Sequence, residues 1–310
     1  MSAARAHGSA PAPIAWLNDS LVPIAEARVS PLDRGFLFGD GVYELVRYFD
    51  RAGVGMDLHE QRLAMSMRLA RIDGFEATRL SAIGDELLRA NDLADATVYL
   101  QVTRGAAANR SHVPPPSLTP TVFAMASAAP ALAELREPDS VRCVLLPDQR
   151  WLRCEIKTIS LMGNVLAALD AGARGADEAI LHRDGVLSEG GSTNVFLWSN
   201  GRLVTPAAGS APAILRGVSR AQLIGAARED GIEVDERSIP VEELRRADEV
   251  MITSSRRLLS AVVEIDGRAV GANGANGAHG AHGAHGAHGA HGAMARRLFE
   301  LLRPRLHSAR

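Results

Sequence analysis

Lysine is nearly absent from this sequence, because only one of the 34 lysine and arginine residues, Lys157, is a lysine. Cysteine is scarce too: Cys143 and Cys154 form neither a CxxC pair nor a disulfide framework, which favours a reducing, cytoplasmic setting. The net charge of -2 includes no basic excess of the kind that binds nucleic acid. No apolar run approaches the roughly 20 residues of a membrane span, so we expect no membrane partner.

The rest of the composition is typical of a soluble globular protein, with 46% hydrophobic and 23% charged residues. A length of 310 residues suits two domains or one large one. Residues 1–13 lack the apolar core of a secretory signal and are interpreted as a disordered leader. Residues 128–139, rich in alanine, glutamate and proline, are the candidate linker between an N-terminal α/β domain at 14–127 and a C-terminal domain at 140–310.

Hydrophobic periodicity predicts strands and helices in mixed order. Residues 59–72 and 78–92 have the spacing of amphipathic helices, whereas 97–105 alternate as a half-buried strand does. The turns Asn18-Asp19 and Asn200-Gly201 predict two hairpins, and glycines at 35, 39 and 41 predict a loop that leads into a strand. Further strands are expected at 120–127, 141–147, 178–183, 194–199, 202–206, 249–255 and 260–267, and helices at 163–175, 217–230 and 293–302. Without regular βαβ alternation or a GxGxxG motif, this pattern favours an α+β fold over a Rossmann fold.

A run of Gly-Ala triplets covers residues 271–294, with GAN twice, GAH five times and then GAM. Imidazole is a common metal ligand, so its histidines could chelate a metal. A flexible insertion is the other interpretation, since Gly-Ala triplets cannot build a core and bring no fixed ligand geometry. We therefore predict no metal site at the five histidines, which are His279, His282, His285, His288 and His291.

The single lysine points to a task that arginine cannot perform. Arginine stays charged at any working pH, whereas lysine can lose its proton when desolvated and then attack a carbonyl as a Schiff-base nucleophile. The alternative is that composition bias left one lysine by chance. On its own, Lys157 does not separate these two interpretations.

Three segments, in this order, resemble the class IV, or fold type IV, aminotransferases that depend on pyridoxal 5'-phosphate. They are DRGFLFGDGVYE at 33–44, IKTISLMGNVLA at 156–167 and LSEGGSTNVF at 187–196. The similarity extends from about residue 14 to the end of the chain, apart from the triplet run. It implies a two-domain α+β fold of the D-amino acid aminotransferase type, a C-terminal domain that binds the cofactor, and a homodimer.

The resemblance implies two central roles in cofactor chemistry. Lys157 falls on the lysine that holds pyridoxal 5'-phosphate as a Schiff base and shuttles a proton during transamination. Glu189 falls on the carboxylate that keeps the pyridine nitrogen protonated, so that the ring accepts electrons. Without the flanking motif, Glu189 would be interpreted as a solvated turn residue.

The resemblance also implies a set of phosphate-binding residues. Arg62 matches the family's phosphate arginine, and Ser255 matches a hydroxyl that reaches the same phosphate. Val218 and Ser219 open a predicted helix, with Leu215 just before it, and free N–H groups at a helix start suit an anion. Taken alone, these residues would be a solvated helix position and ordinary capping residues.

Substrate binding is implied for a second set. Tyr43, Arg110 and His112 match three carboxylate contacts of the D-amino acid enzymes, where arginine offers a two-pronged partner. Ser254 is predicted as a further substrate contact. Arg256 stands where those enzymes carry threonine, and a cation there would either admit acidic donors or point away.

These residues predict transamination between a D-amino acid such as D-alanine and a 2-oxo acid, 2-oxoglutarate or pyruvate, by a ping-pong mechanism. Two alternatives on the same scaffold are branched-chain L-amino acid transamination and aminodeoxychorismate lyase activity. Both would use Lys157 and Glu189. There are two non-enzymatic alternatives. One is a metal-binding module built on the triplet histidines, and the other is a protein that keeps the fold but binds no cofactor.

Overall fold

The computed structural model describes residues 11–271 and 292–307, and the chain forms two compact units. Among the described residues, unit 1 consists of 11–136, 156–161 and 305–307, and unit 2 consists of 137–155, 162–271 and 292–304. The segment around Lys157 thus belongs to the unit that contains the N-terminal part of the chain, whereas the predicted domain boundaries assign it to the C-terminal part. Each helix in the described ranges is too short or too polar to span a bilayer.

Unit 1 is built on a six-stranded antiparallel sheet. Its strands, in spatial order, are β2 (Ser20–Pro23), β1 (Pro11–Leu17), β6 (Thr121–Ala128), β5 (Ala96–Thr103), β3 (Gly41–Phe49) and β4 (Ala52–Gly53). The hairpin predicted at Asn18-Asp19 is confirmed, with φ angles of 45° and 68° in its turn. β1 begins inside the expected leader 1–13, while residues 1–10 lie outside the described residues.

Helices α2 (Met56–Ala70) and α3 (Arg79–Ala90) pack against this sheet, as their periodicity predicted. Leu63 of α2 and Leu87 of α3 share one buried core with Val98 and Leu100 of β5. Each such leucine contributes about 2 kcal/mol of hydrophobic stabilisation when fully buried. The alternating pattern of β5 places these apolar side chains on the core face, which confirms the predicted half-buried strand.

One prediction in unit 1 is wrong, because the expected loop before β3 contains a short helix, α1 (Arg34–Phe38). Asp33 caps this helix by accepting a hydrogen bond from the N–H of Gly35 at 2.8 Å. Gly39 ends it in the left-handed conformation with φ 66°. Five residues give too short a stretch for helical periodicity to show.

Unit 2 is built on a nine-stranded mixed sheet. In spatial order its strands are β12 (Val234–Arg237), β11 (Arg202–Pro206), β10 (Asn194–Ser199), β13 (Glu249–Ser254), β14 (Leu258–Ile265), β7 (Asp139–Pro147), β8 (Glu178–Arg183) and β9 (Val186–Gly190), and β15 (Arg268–Ala269) pairs with β14. The pairs β11–β12, β7–β14 and β7–β8 are parallel. The hairpin predicted at Asn200-Gly201 joins β10 to β11 and is confirmed.

The helices of unit 2 are α4 (Met162–Ala173), α5 (Val218–Glu229), α6 (Val241–Leu244) and most of α7 (Ala293–His307). The mixed order of helices and strands confirms the α+β prediction. β9 escaped prediction because Ser188 and Glu189 are polar yet buried, so the strand shows no apolar alternation.

The triplet histidines and residues 272–291 lie outside the described residues, so the structure leaves both interpretations of the run untested. Across the ranges 11–271 and 292–307, no three His, Cys, Asp or Glu side chains are grouped so as to hold a metal ion.

Candidate functional site

Lys157 lies on a short segment of unit 1, Ile156–Leu161, which pairs with the edge of β3 through an isolated bridge between Thr158 and Val42. β4 covers only the far end of β3, which leaves backbone groups in the first half of that strand open to another partner. The N–H of Tyr43 donates to the carbonyl of Lys157 at 2.9 Å. The N–H of Lys157 in turn donates to Oγ of Ser66 on α2 at 3.2 Å. Strand and helix together therefore fix the backbone of the lysine.

The lysine side chain lies over an aromatic ring. Its Nζ is 4.3 Å from the centre of the Tyr43 ring, close enough for a cation–π interaction worth about 0.5–1 kcal/mol. The Tyr43 ring is itself 5.5 Å from that of Tyr99 on β5, at an interplanar angle of 33°. The structure thus brings together two predicted site residues, Lys157 and Tyr43, within unit 1.

A buried carboxylate, Glu44, follows Tyr43 on β3 and points to the opposite face of the strand. Arg62 of α2 donates to both of its oxygens, Nε to Oε1 at 2.8 Å and Nη2 to Oε2 at 2.7 Å. Nδ1 of His59 is 2.6 Å from Oε2. His59, Arg62 and Ser66 lie on one stripe of α2, at the spacing i, i+3, i+7.

The titration behaviour of this cluster follows from its burial and charges. Burial acts to raise the pKa of Glu44, but the charge of Arg62 and the hydrogen bonds from Arg62 and His59 outweigh it and hold that pKa far below its usual range. Desolvation lowers the pKa of His59 in spite of the nearby carboxylate. A neutral His59 donates its Nδ1–H to Glu44, because a carboxylate only accepts. Arg62 remains a buried cation with Glu44 as its counter-ion.

In unit 2, Glu189 is buried on β9 with three hydrogen-bond donors around it. Its Oε1 accepts from Nη1 of Arg150 at 2.8 Å. Its Oε2 accepts from Nδ2 of Asn194 at 3.1 Å and from the N–H of Leu215 at 2.9 Å. A carboxylate offers about four acceptor positions, two on each oxygen. The described donors therefore fill both positions on Oε2 and leave one on Oε1.

A second carboxylate, Asp148, shares the guanidinium that binds Glu189. Burial raises the pKa of Glu189, against the lowering influence of Arg150. Asp148 binds the same guanidinium, Oδ2 to Nη2 at 2.9 Å. Burial would also raise the pKa of Asp148, but hydrogen bonds from Arg150 and Ser188 lower it to about 2. Arg150 is thus shared by two carboxylates, of which Glu189 is the stronger base.

The predicted phosphate residues Val218 and Ser219 form the first turn of α5, directly after Gly217. The first N–H groups of a helix have no partner inside the helix and suit an anion. Gly217 is required by packing: a Cβ there would lie 2.0 Å from Oδ1 of Asn194, the residue that also binds Glu189. Leu215 donates to Glu189 and accepts from Nδ2 of Asn194 at 3.0 Å, which links the approach to α5 with the carboxylate.

The predicted residues Ser254 and Ser255 lie at the end of β13. Oγ of Ser254 accepts from the N–H of Arg257 at 3.2 Å, and Ser255 is half-buried. The preceding Thr253 is 1% exposed, and its Oγ1 has no hydrogen-bond partner among the described residues. Arg256 follows as an exposed residue.

Arg110 and His112 lie on the exposed loop between β5 and β6. The guanidinium of Arg110 is 4.9 Å from the centre of the Phe38 ring, and the His112 ring is 5.4 Å from the same ring. Within the described part of the chain, no hydrogen bond, ion pair or ring contact joins either residue to Tyr43. Two of the three predicted carboxylate contacts, Arg110 and His112, therefore lie against Phe38. The third, Tyr43, makes none of these contacts with them.

Sequence reasoning missed several residues that surround the predicted ones. Glu44 ends the first quoted motif, but a carboxylate in a strand gives no sign that it is buried. Arg150 precedes the lysine segment and resembles any other arginine in a sequence whose basic residues are all arginine except Lys157. Asn194 belongs to the LSEGGSTN motif and could have been found there. Their roles depend on contacts between distant parts of the chain.

Comparisons with known proteins identify the family of this chain. A sequence model of the amino-transferase class IV family matches residues 41–265. The chain is 34% identical over 257 residues to the D-alanine aminotransferase of Staphylococcus haemolyticus, covering 83% of this chain and 90% of that protein. It is 37% identical over 254 residues to the Listeria innocua protein of the same name, covering 81% and 87%.

Solved structures of branched-chain aminotransferases have a similar fold. The Thermoproteus uzoniensis protein with norvaline has a TM-score of 0.79 at 25% identity and covers 95% of both chains. The T.th. protein with pyridoxamine 5'-phosphate has a TM-score of 0.81 at 24% identity, covering 96% of this chain and 95% of that one. The resemblance carried by the three sequence segments is confirmed along most of the chain. The chain therefore belongs to the class IV aminotransferases.

Proposed function

We propose that this chain transfers the amino group of a D-amino acid, with D-alanine as the representative donor, to 2-oxoglutarate or pyruvate by a ping-pong mechanism. The observation that carries the proposal is the chain's single lysine, anchored by its backbone beside Tyr43. Relatives at 34% and 37% identity are named D-alanine aminotransferase, whereas the structurally similar branched-chain enzymes are 24% and 25% identical. This difference supports D-amino acids over the branched-chain alternative.

Pyridoxal 5'-phosphate is the proposed cofactor, and the side chains present suit it. When bound, it supplies an aldehyde and a ring that accepts electrons. Lys157 offers the primary amine, and Glu189 offers an open position on Oε1 with raised basicity, which suits a protonated ring nitrogen. Arg62, Ser255 and the first turn of α5 supply a guanidinium, a hydroxyl and backbone N–H groups, as a phosphate requires.

The chain's own residues perform the proton transfer and the binding. Lys157 Nζ is the proposed base toward the substrate Cα–H, since a primary amine, unlike a guanidinium, can act both as a nucleophile and as a base. The Tyr43 ring holds that group over its face when it is charged. Tyr43, Arg110 and His112 are the proposed contacts of the substrate carboxylate, and Ser254 is a further one.

We also propose that the chain works as a homodimer in the cytoplasm. α4 carries four large apolar side chains at the spacing i, i+3, i+4, i+7, namely Met162, Val165, Leu166 and Leu169, which are 47 to 70% exposed. A contiguous apolar stripe of this kind marks an interaction surface. Both cysteines are free and buried, which suits a reducing compartment.

A coupled assay tests the activity directly. D-alanine, D-glutamate, L-leucine and L-glutamate are offered as donors, with pyruvate or 2-oxoglutarate as acceptor. We expect turnover with the D-donors. Activity with L-leucine and none with D-alanine would overturn the proposal.

Lys157→Arg is the matched variant for the mechanism, because it keeps the positive charge and removes the amine that can be deprotonated. We expect it to lose activity and covalent cofactor after borohydride reduction. The control is Arg174→Lys at an exposed position after α4, which adds a second lysine. In that control, mass spectrometry should find the reduced cofactor at Lys157 and not at position 174. Cofactor fixed at position 174 of the control, or retained by Lys157→Arg, would contradict the assignment of Lys157.

A further inference from the structure

The loop between β5 and β6 lacks helix or strand structure around Arg110 and His112, yet its backbone is held. The guanidinium of Arg34 donates from Nη1 to the carbonyl of Ser111 at 2.6 Å and from Nη2 to that of His112 at 3.0 Å. Hydrogen bonds to charged groups are the strong ones, and a planar guanidinium fixes two acceptors at a set spacing. Arg34 thus binds the backbone carbonyls of the two residues that follow Arg110.

Arg34 is itself rigidly placed. It is 4% exposed, and its Nε donates to Oδ2 of Asp40 at 2.7 Å. Asp40 also accepts from Arg104 of the same loop, at 2.8 and 2.9 Å. Burial acts to raise the pKa of Asp40, but hydrogen bonds from Arg104 and Arg34 hold it below its usual value. Arg34 of α1 and Arg104 of the loop therefore share one ionised carboxylate.

The helix that carries Arg34 is anchored to the sheet. Its capping residue, Asp33, accepts from Oγ1 of Thr103 at 2.9 Å. The N–H of Arg34 donates to the carbonyl of Gly105 at 3.0 Å. α1 therefore forms a rigid support from which the loop is held.

At the other end of α1, Phe38 contacts the loop's side chains. The guanidinium of Arg110 and that of Arg34 each lie 4.9 Å from the centre of the Phe38 ring. The ring of His112 lies 5.4 Å away at an interplanar angle of 54°. Phe38 is only half-buried and is not part of the apolar core of unit 1. Its contacts therefore serve the loop rather than the core.

We infer that Arg34 and Phe38 are positioning residues that hold the loop around Arg110 and His112 in the conformation that receives the substrate carboxylate. The inference rests on the proposed function, in which those two side chains bind that group. Two flexible side chains on an exposed loop lose conformational entropy when they bind an anion, and prior ordering removes part of that loss. Arg34 orders the backbone and Phe38 orders the side chains.

Amide hydrogen exchange tests the ordering independently of activity. In Arg34→Lys, a single ammonium replaces the guanidinium that binds two carbonyls, and the positive charge beside Asp40 is kept. In Phe38→Leu, the apolar volume stays but the ring contacts go. We expect exchange in residues 106–113 to be at least about 5-fold faster in both variants, with unchanged exchange in α4. Phe38→Tyr, which keeps the ring, should behave as the wild type. Unchanged exchange of the loop in both variants would overturn the inference.

Kinetics test the functional part. We expect Arg34→Lys and Phe38→Leu to raise KM for D-alanine about 10-fold and to change kcat less than about twofold. The comparison background is Arg110→Gln/His112→Asn, in which the positioned groups no longer bind a carboxylate. In this background, adding Arg34→Lys should not raise KM further, because Arg34 acts on KM by positioning the two side chains that have been replaced. An equal further rise in that background would overturn the inference.

The two proposals fail in different ways. If Arg110→Gln/His112→Asn leaves KM for D-alanine unchanged, the carboxylate role of these residues is wrong, and this inference is overturned with it. D-alanine transamination in the wild-type holoenzyme would still stand as the proposed function. If the wild-type holoenzyme does not use D-alanine, the proposed function fails instead, whatever the exchange measurement gives.

Discussion

Lys157 and Tyr43 are joined twice, once through the backbone and once through the side chains. The Tyr43 N–H donates to the Lys157 carbonyl at 2.9 Å, and Lys157 Nζ lies 4.3 Å from the centre of the Tyr43 ring. The first contact depends on no side chain, so it persists in any Tyr43 variant except proline. The ring and the hydroxyl of Tyr43 can therefore be tested separately.

Tyr43→Phe keeps the ring and removes the hydroxyl. We expect KM for D-alanine to rise about 10-fold, because one hydrogen bond to a charged group is lost. The amount of cofactor bound covalently to Lys157 should not change. Tyr43→Leu should in addition reduce the cofactor fixed by borohydride, because the face that holds Nζ is gone. Tyr99→Phe is the control, since its hydroxyl donates to Gln101 instead. A KM rise in Tyr99→Phe as large as that in Tyr43→Phe would contradict this assignment.

Glu189→Gln keeps the shape of the side chain and removes its charge. We expect kcat to fall about 100-fold, the scale on which one fixed charge partner acts in an active site. Glu178→Gln is the matched control, because Glu178 is also a buried carboxylate of unit 2 but binds Ser192 at 2.7 Å. Steady-state kinetics on both variants decide the matter. Equal losses in both would assign the effect to a disturbed fold instead.

Glu44→Gln leaves the buried guanidinium of Arg62 without its counter-ion. Breaking a buried pair in this way destabilises a protein by about 3–5 kcal/mol. Added inorganic phosphate should raise the melting temperature of this variant more than that of the wild type, if Arg62 is the phosphate residue we propose. Thermal unfolding with and without phosphate measures this, and Glu86→Gln on the exposed side of α3 is the control. If phosphate raises the melting temperature of Glu44→Gln no more than that of the wild type, the proposed phosphate role of Arg62 is wrong.

Asp148 predicts a pH dependence of stability. Its pKa is lowered to about 2 in the folded protein, against about 3.9 for an unfolded aspartate. Between these values the unfolded state binds more protons, so the stability that Asp148 contributes is complete above about pH 4 and is lost as the pH falls toward 2. Asp148→Asn should flatten the fall of the unfolding free energy in this window, while Asp170→Asn, at an exposed site on α4, should not. Identical slopes in the wild type and Asp148→Asn would refute this role.

Hydrophobic periodicity predicted most of the helices and strands because each of them turns its apolar side chains toward one core. Leu63 and Leu87 mark helices, and Val98 and Leu100 mark a strand, since each apolar side chain in these segments points to one core. It failed where polar residues are buried, as at Ser188 and Glu189 on β9, and where an element is only five residues long, as in α1. These are the places where the candidate functional residues and their supports lie.

The sequence alone was enough to single out Lys157, because the chemistry of a primary amine differs from that of arginine, and enough to find the family, because three motifs keep their order. Only the tertiary structure decided what surrounds these residues. Arg34 is 77 positions from Ser111, and Arg150 is 39 positions from Glu189, yet each pair is joined by a hydrogen bond. Such pairs arise from the pairing of distant strands and the packing of helices on them, and no local pattern of residues records which partner a buried charge will find.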